Sequence, residues 1–267
     1  MNDAILSVTD LTKSFRIGGS GRDGGELLAV DGVTFSLPEG GSLAIVGESG
    51  SGKTTTARII AGLERPTSGG ILFRGQEWNT PAGVAERRAR ARQVQMVFQD
   101  PFGSLDPRQS LGASLDEILV IHNHGRRSRW RAARSEELME MVGLDGSHLA
   151  KLPRALSGGQ RQRFAIGRAL AVEPELLILD EAVSALDVSV QAQVLNLLID
   201  LRARIGVSYL FVSHDLAVVR QISDSVIVMK DGRVVESGDT DEVMDRPRSE
   251  YARKLLAAIP RPAWELP

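Results

Sequence analysis

The sequence predicts an α/β fold organised around a phosphate-binding loop, and three observations carry that expectation. The apolar run Leu43-Ala44-Ile45-Val46 feeds the glycine loop Gly47-Glu48-Ser49-Gly50-Ser51-Gly52-Lys53-Thr54, and the helix-like Ala57-Arg58-Ile59-Ile60-Ala61 follows it. A second apolar run, Leu176-Leu177-Ile178-Leu179, ends on Asp180 and Glu181, as a buried parallel strand does where it opens on a ligand crevice. From Val190 to Arg204, residues Val190, Val194, Leu197, Leu198 and Leu201 share one helical face.

The loop sets the chemistry. Its G-x-x-x-x-G-K-T pattern lets backbone N–H groups turn toward phosphate oxygens, and the helix behind it adds the positive end of its dipole. Lys53 is expected to reach the β- and γ-phosphates, and the Thr54 hydroxyl to ligate Mg²⁺. A nucleoside triphosphate is therefore the expected ligand.

From the N-terminus, Ile5-Leu6-Ser7-Val8 reads as a short strand, followed by Leu11 to Phe15. The glycine-rich Gly18 to Gly25 reads as a hairpin tip, and Ala29 to Leu37 alternates as a second strand. Phe15 suits either the core of this small sheet or a platform for a purine ring. After the phosphate loop a helix runs to Gly62, Pro66 to Gly70 is a turn, and Ile71-Leu72-Phe73 resumes as strand. The basic stretch Glu86 to Arg92 is expected to be a solvated helix face. Val94 to Phe98 is a buried-looking strand ending on Gln99, which is either an ordinary strand-end glutamine or a side chain that touches metal or water.

Residues 101–156 change character. A loop spans Pro101 to Pro107, and Leu111–Ile121 and Arg129–Val142 look helical, the second with Leu138, Met141 and Val142 at helical spacing. Arg126, Arg127, Arg129, Arg131 and Arg134 surround Trp130, which suggests a nucleic-acid patch or, more simply, an exposed arginine-rich helix face. The net charge of −2 gives no electrostatic footprint for nucleic acid and favours the simpler reading. Next, Leu156-Ser157-Gly158-Gly159-Gln160 opens a helix with Ser157 as N-cap and two glycines that leave its start bare. It is a second anion cradle, or only a capped helix packed through Phe164, Ile166 and Leu170.

Asp180 is placed to hold Mg²⁺ with Thr54, and Glu181, pointing elsewhere, to orient or deprotonate water. Ser184 to Asp187 is a turn. Tyr209-Leu210-Phe211-Val212 is a buried strand leading to His214, which suits a γ-phosphate contact or a structural role. Val226 to Met229, Asp231-Gly232 and Val234-Val235 predict a hairpin. The tail from Asp239 is expected to hold short helices at Glu242–Met244 and Tyr251–Ala258 and a proline-rich end.

The chain has 267 residues, 42% hydrophobic and 25% charged, enough for one large α/β domain with an appendage or two small ones. It has no cysteine, which excludes disulfides, thiolate metal sites and iron–sulfur clusters. No apolar run approaches the ~18–20 residues that span a bilayer, and the start lacks a signal-peptide pattern. The expectation is an intracellular chain whose membrane role goes through a partner.

Taken together, Phe15, the phosphate loop, Gln99, LSGGQ at 156–160, LLILDE at 176–181, SALD at 184–187 and His214 resemble the ATP-binding subunit of an ABC transporter. The resemblance covers essentially the whole chain, and LSGGQ ahead of the acidic strand is its most specific feature. GESGSGKTT, VFQDPFGSLDPR, DEAVSALDVSVQAQVLNLL and RPRSEYARKLLAAIP look like the di- and oligopeptide (or nickel) importer group, and DEAVSALDVS like the second ATPase of its pair. A cysteine-rich iron–sulfur motif common past this tail has no counterpart here.

The resemblance implies a P-loop NTPase (RecA-like) core with an N-terminal antiparallel β subdomain and a helical subdomain at about 101–170. It implies a nucleotide-binding domain at 1–237 and a C-terminal extension at 238–267. It implies that Phe15 stacks on adenine and that Gly47, Glu48, Ser49, Gly50, Ser51, Gly52, Lys53, Thr54 and Thr55 hold ATP. Thr54, Gln99 and Asp180 would attend Mg²⁺, Glu181 would act as general base, and His214 would contact the γ-phosphate. Ser157, Gly158, Gly159 and Gln160 would bind nucleotide held by a partner ATPase. The implied partners are a paralogous or identical ATPase, two permease subunits and, indirectly, an external binding protein, at the cytoplasmic face of the membrane. A soluble ABC ATPase acting on nucleic acid or ribosomes, or a structural nucleotide-binding subunit, is the alternative.

Overall fold

The structure is a computed structural model that describes residues 4–16, 25–100, 103–122 and 127–257. Residues 18–24 of the expected hairpin tip, Pro101, Phe102, Arg126, Ala258 and the proline-rich end lie outside them. The elements in chain order are β1 (Ala4–Arg16), β2 (Glu26–Pro38), β3 (Ser42–Val46), α1 (Lys53–Ile60), β4 (Ser68–Phe73), β5 (Gln76–Glu77), α2 (Val84–Gln93) and β6 (Val94–Val97). They continue with α3 (Leu111–His122), α4 (Ser128–Met141), α5 (Gly158–Leu170), β7 (Leu176–Asp180), α6 (Val188–Ile205) and β8 (Ser208–Ser213). The last are α7 (Leu216–Ile222), β9 (Ser225–Lys230), β10 (Arg233–Asp239), α8 (Thr240–Asp245) and α9 (Glu250–Ala257). Two compact units result: residues 1–80 with 210–267, and residues 81–209.

The first unit carries an antiparallel sheet in the order β2-β1-β4-β5. β1 is one strand and not the expected two pieces, because Asp10, at φ 49°, forms a bulge between Val8 and Leu11 that the ladder to β2 absorbs. β4 begins at Ser68, inside the expected turn, with Gly70 paired to Thr9. Gly69 explains it: at φ 95°, its missing side chain leaves room for Asp10, whose carbonyl oxygen a Cβ would meet at 2.5 Å. Trp78 closes this sheet over α1, its indole N–H donating to the Ile60 carbonyl at 2.7 Å.

The same unit holds strands in the order β10-β9-β3-β8. β3 runs parallel to β9 with every residue buried, which its apolar composition demands. The β9–β10 hairpin turns through Asp231 at φ 48° and Gly232 at φ 80°, the two positive angles that a tight right-twisted hairpin requires. Asp215 caps α7, accepting from the N–H groups of Ala217 and Val218.

In the second unit β6 and β7 pair in parallel, Val94 opposite Leu176 and Val97 opposite Leu179. β7 is buried throughout, whereas in β6 only Val94 and Val97 are. No residue of α2 is buried, and Arg87, Arg88 and Arg92 form the solvated face expected of them, with Arg90 half-buried against Glu86. The arginine-rich helix α4 buries Ser135, Leu138 and Met139, and Met141 is only half-buried. Arg131 pairs with Asp116, and Arg134 with Glu137 and Glu173, so part of the basic cluster is spent on internal ion pairs. Arg127 and Arg129 are exposed while Arg131 and Arg134 are half-buried, so the exposed arginine face is confined to the start of the helix.

Candidate functional site

In the first unit the buried strand β3 delivers the chain to the glycine loop. A Cβ on Gly47 would meet the Met229 carbonyl oxygen at 2.2 Å, and one on Gly52 the Ala29 carbonyl oxygen at 2.3 Å. Two of the three loop glycines are thus required by protein backbone pressing on the loop. Gly50, at φ 83°, has nothing near it and faces open space. The hairpin turn helps hold the loop from below, Gly232 N–H donating to the Ser51 carbonyl at 3.1 Å. Gly52 stands at the N-cap of α1 at φ 99° and offers no side-chain cap.

Lys53 is buried, and its Nζ donates to the carbonyls of Gly47 at 2.8 Å and Glu48 at 2.7 Å. Its ammonium therefore stands inside the curl of the loop. Ser51 Oγ is buried there with no hydrogen-bond partner. Glu48, Ser49 and Gly50 are exposed, and Thr54 and Thr55 are half-buried at the head of α1. The Glu48 N–H donates to the Tyr251 hydroxyl of α9 at 3.2 Å. Burial pushes the Tyr251 phenol above its ordinary 10.0, with the Glu48 hydrogen bond working the other way, so it keeps its proton at neutral pH.

Phe15 is 36% exposed, which removes the core reading for it. Lys13 Nζ lies 4.8 Å from its ring centroid while pairing with Glu64 at 2.7 Å. His214 is exposed at the end of β8.

In the second unit the head of α5 is not bare. Ser157 Oγ accepts the Gln160 N–H at 3.3 Å, and Gln160 Oε1 accepts the Ser157 N–H at 3.0 Å, a reciprocal capping box. The serine followed three residues later by glutamine is itself the sequence signal for this cap. Ser157 is exposed, Gly158 and Gln160 are half-buried, and Gly159 is buried.

Asp180 closes β7 and is only 5% exposed, while Glu181 sits just beyond it at φ 48°, a left-handed backbone that turns the second carboxylate away from the strand. Ser184 Oγ donates to the Glu181 carbonyl at 2.9 Å and holds that bend. Gln99 is exposed and lines a cavity of about 380 Å³ with Gly158, Arg161, Gln162, Ala182 and Leu186. Sequence reasoning named Gln99 and Gly158 separately and missed Arg161 and Gln162. Their spacing from Gly158, three and four residues along one helix, was the available signal. The Gln162 side chain is buried with its Nε2 unpartnered. Burial pushes the Arg168 guanidinium down, and its N–H donates to the Ser104 carbonyl at 2.8 Å, tying α5 to the loop after Gln99.

Among the described residues no cluster of three or more His, Asp or Glu side chains is arranged to hold a metal, and no helix is long and apolar enough to cross a membrane.

The chain matches the ABC transporter family over residues 30–184. It is 47% identical over 97% of its length to the oligopeptide transport ATP-binding protein OppD of Mycobacterium tuberculosis, spanning 42% of that protein. It is 46% identical over 97% of its length to the oligopeptide transport ATP-binding protein AppF of Bacillus subtilis, spanning 79% of it. Among solved structures, an ATP-binding cassette described as dimeric, post-hydrolysis and bound to ADP and Pi superposes with a TM-score of 0.77 at 28% identity, covering 88% of this chain and 98% of its own.

Proposed function

The chain belongs to the ABC transporter family, and from that premise we propose that it is the ATP-binding and ATP-hydrolysing subunit of a di- or oligopeptide importer. The observation that carries this reading is the presence in one chain of two different glycine-bearing helix starts of the kind that bind phosphate. One is the glycine loop around Lys53, and the other is the Ser157–Gln160 turn, with the Asp180–Glu181 pair following it. The printed names of the relatives supply the peptide cargo.

In this reading residues 1–237 form the nucleotide-binding domain, with a helical subdomain at about 101–170, and 238–267 form a C-terminal extension. Phe15 stacks on adenine. Lys53 exchanges its carbonyl contacts for phosphate oxygens, and the loop amides from Gly47 to Thr55 hold the rest. The buried, unpartnered hydroxyl of Ser51 fits a loop built to receive a polar ligand. Ser157, Gly158, Gly159 and Gln160 meet the γ-phosphate of nucleotide held by a second ATPase subunit. Glu181 orients and deprotonates the attacking water, His214 contacts the γ-phosphate, and catalysis is largely positional and electrostatic.

Thr54, Asp180 and Gln99 offer a hydroxyl, a carboxylate and an amide carbonyl, hard oxygen donors of the kind Mg²⁺ prefers in small number beside phosphates. Mg²⁺ held by donors of this kind would offset phosphate charge.

Closure of two ATPase subunits would be transmitted to permease helices through the region Gln99 to Arg108, at the cytoplasmic face of the membrane. The reading is tested by mass spectrometry of what co-purifies with the tagged protein from mild-detergent membranes. Two polytopic permeases and a second ATPase are expected. Recovery with soluble chains or RNA alone would overturn it.

A further inference from the structure

The peptide unit joining Gly47 to Glu48 is gripped at both ends. Its carbonyl accepts from Lys53 Nζ at 2.8 Å, and its N–H donates to the Tyr251 hydroxyl at 3.2 Å. The peptide is trans, so the two groups point in opposite directions and one contact braces the other. Tyr251 belongs to α9, a helix 203 residues from Glu48 in sequence.

The helix itself is firmly seated. The Glu236 carboxylate accepts the N–H groups of Arg248 at 2.7 Å and Ser249 at 2.9 Å, and Ser249 Oγ accepts the Ala252 N–H at 3.0 Å. Ala252 is 1% exposed, and Leu255 and Leu256 face Val46, Val228 and Val243 across a small apolar gap. Lys230 Nζ stands 5.1 Å from the centroid of the Tyr251 ring, fixing the ring from the side of the hairpin. The hydroxyl is thus presented to the loop by a helix with its own anchors.

We infer that Tyr251 is a positioning residue of the nucleotide site, fixing through the Glu48 N–H the peptide plane whose carbonyl receives Lys53. It sets the direction of one loop carbonyl, and so the place from which the lysine leaves when phosphate arrives. The inference rests on the nucleotide reading above and adds to it a residue from the C-terminal helix.

The test uses the full chain and Tyr251→Phe, which removes only the hydroxyl and keeps the ring beside Lys230. Hydrogen exchange at the Glu48 amide is expected to quicken several-fold while α9 keeps its protection. The dissociation constant for ATP with Mg²⁺ is expected to rise about three- to tenfold, the range for loss of one hydrogen bond, with the melting temperature falling by no more than about 4 °C. In the assembled transporter KM for ATP should rise and kcat stay level. Leu256→Ala is the control: it loosens the apolar seat of α9 and leaves the hydroxyl, and should lower the melting temperature more than the affinity. Unchanged Glu48 exchange and affinity in Tyr251→Phe would overturn the inference. So would losses of affinity that track losses of thermal stability in both variants. A wild-type chain that binds no nucleotide would contradict the proposed function, and Glu48 exchange would still decide the link.

Discussion

Gly159 lies against Val190: a Cβ at position 159 would stand 2.3 Å from Val190 Cγ1, so the first turns of α5 and α6 meet with no room for a methyl group. The two glycines of this turn therefore do different things. Gly158 has only Leu186 nearby, at 3.7 Å, whereas Gly159 is in addition a packing requirement, whatever its backbone presents.

Gly159→Ala should destabilise the protein by about 1–3 kcal/mol through overpacking, since a valine in a helix has little rotamer freedom with which to yield. Adding Val190→Ala should recover most of that loss. Denaturant titration of the two single variants and the double variant checks it, and strict additivity would show that the contact is not the cause.

Ser157→Ala should cost about 1 kcal/mol of stability by removing the acceptor for the Gln160 N–H. Because the proposed function also gives Ser157 a phosphate contact in the partner's site, ATP-dependent association should fall further than stability does. Ser157→Thr keeps a capping hydroxyl and should restore the melting temperature. A variant that loses stability yet associates with ATP normally would confine Ser157 to the cap.

Acid should release α9. Burial pushes the Glu236 carboxyl up, but the N–H groups of Arg248 and Ser249, the Ser249 hydroxyl and the Arg248 charge outweigh it and hold the group below its ordinary 4.5. The unfolded chain then binds the proton more readily than the folded one. The stabilisation is present above the unfolded value and is lost as pH falls through the lower, folded value. Glu236→Gln should melt earlier than wild type near pH 7, with the difference shrinking as pH falls below about 4.5. Thermal melts across that range read it out, and a difference that grows with acid would contradict the assignment.

Legibility in the sequence followed the range of the interaction. β3 and β7 were readable because buried parallel strands must be apolar throughout. The β9–β10 turn was readable because few residue pairs accept two positive φ angles, and Asp231-Gly232 is one of them. What escaped depended on distant partners. β1 looked broken at Asp10 because a partner 24 residues away helps carry the strand through the bulge, the Thr34 hydroxyl accepting the Asp10 N–H at 2.9 Å. Gly47 and Gly52 looked like concessions to phosphate, and the pressing carbonyls of Met229 and Ala29 supply the second reason. Ser157 was readable as the N-cap of α5, and the structure adds the return bond from the Gln160 side chain, which completes the capping box. Tyr251 had no local signal at all.

The most direct test of the central claim is paired ATP binding and hydrolysis by wild type, Glu181→Gln and Lys53→Ala. Wild type should bind ATP with Mg²⁺ and hydrolyse it. Glu181→Gln should bind with similar affinity and lose turnover by at least about a hundredfold, as expected for removal of a general base. Lys53→Ala should lose binding, having lost both the phosphate contact and the two hydrogen bonds that hold the loop. Binding retained with turnover abolished in Glu181→Gln is the result this account requires. Wild-type hydrolysis by that variant, or no ATP binding by the unaltered chain, would contradict it.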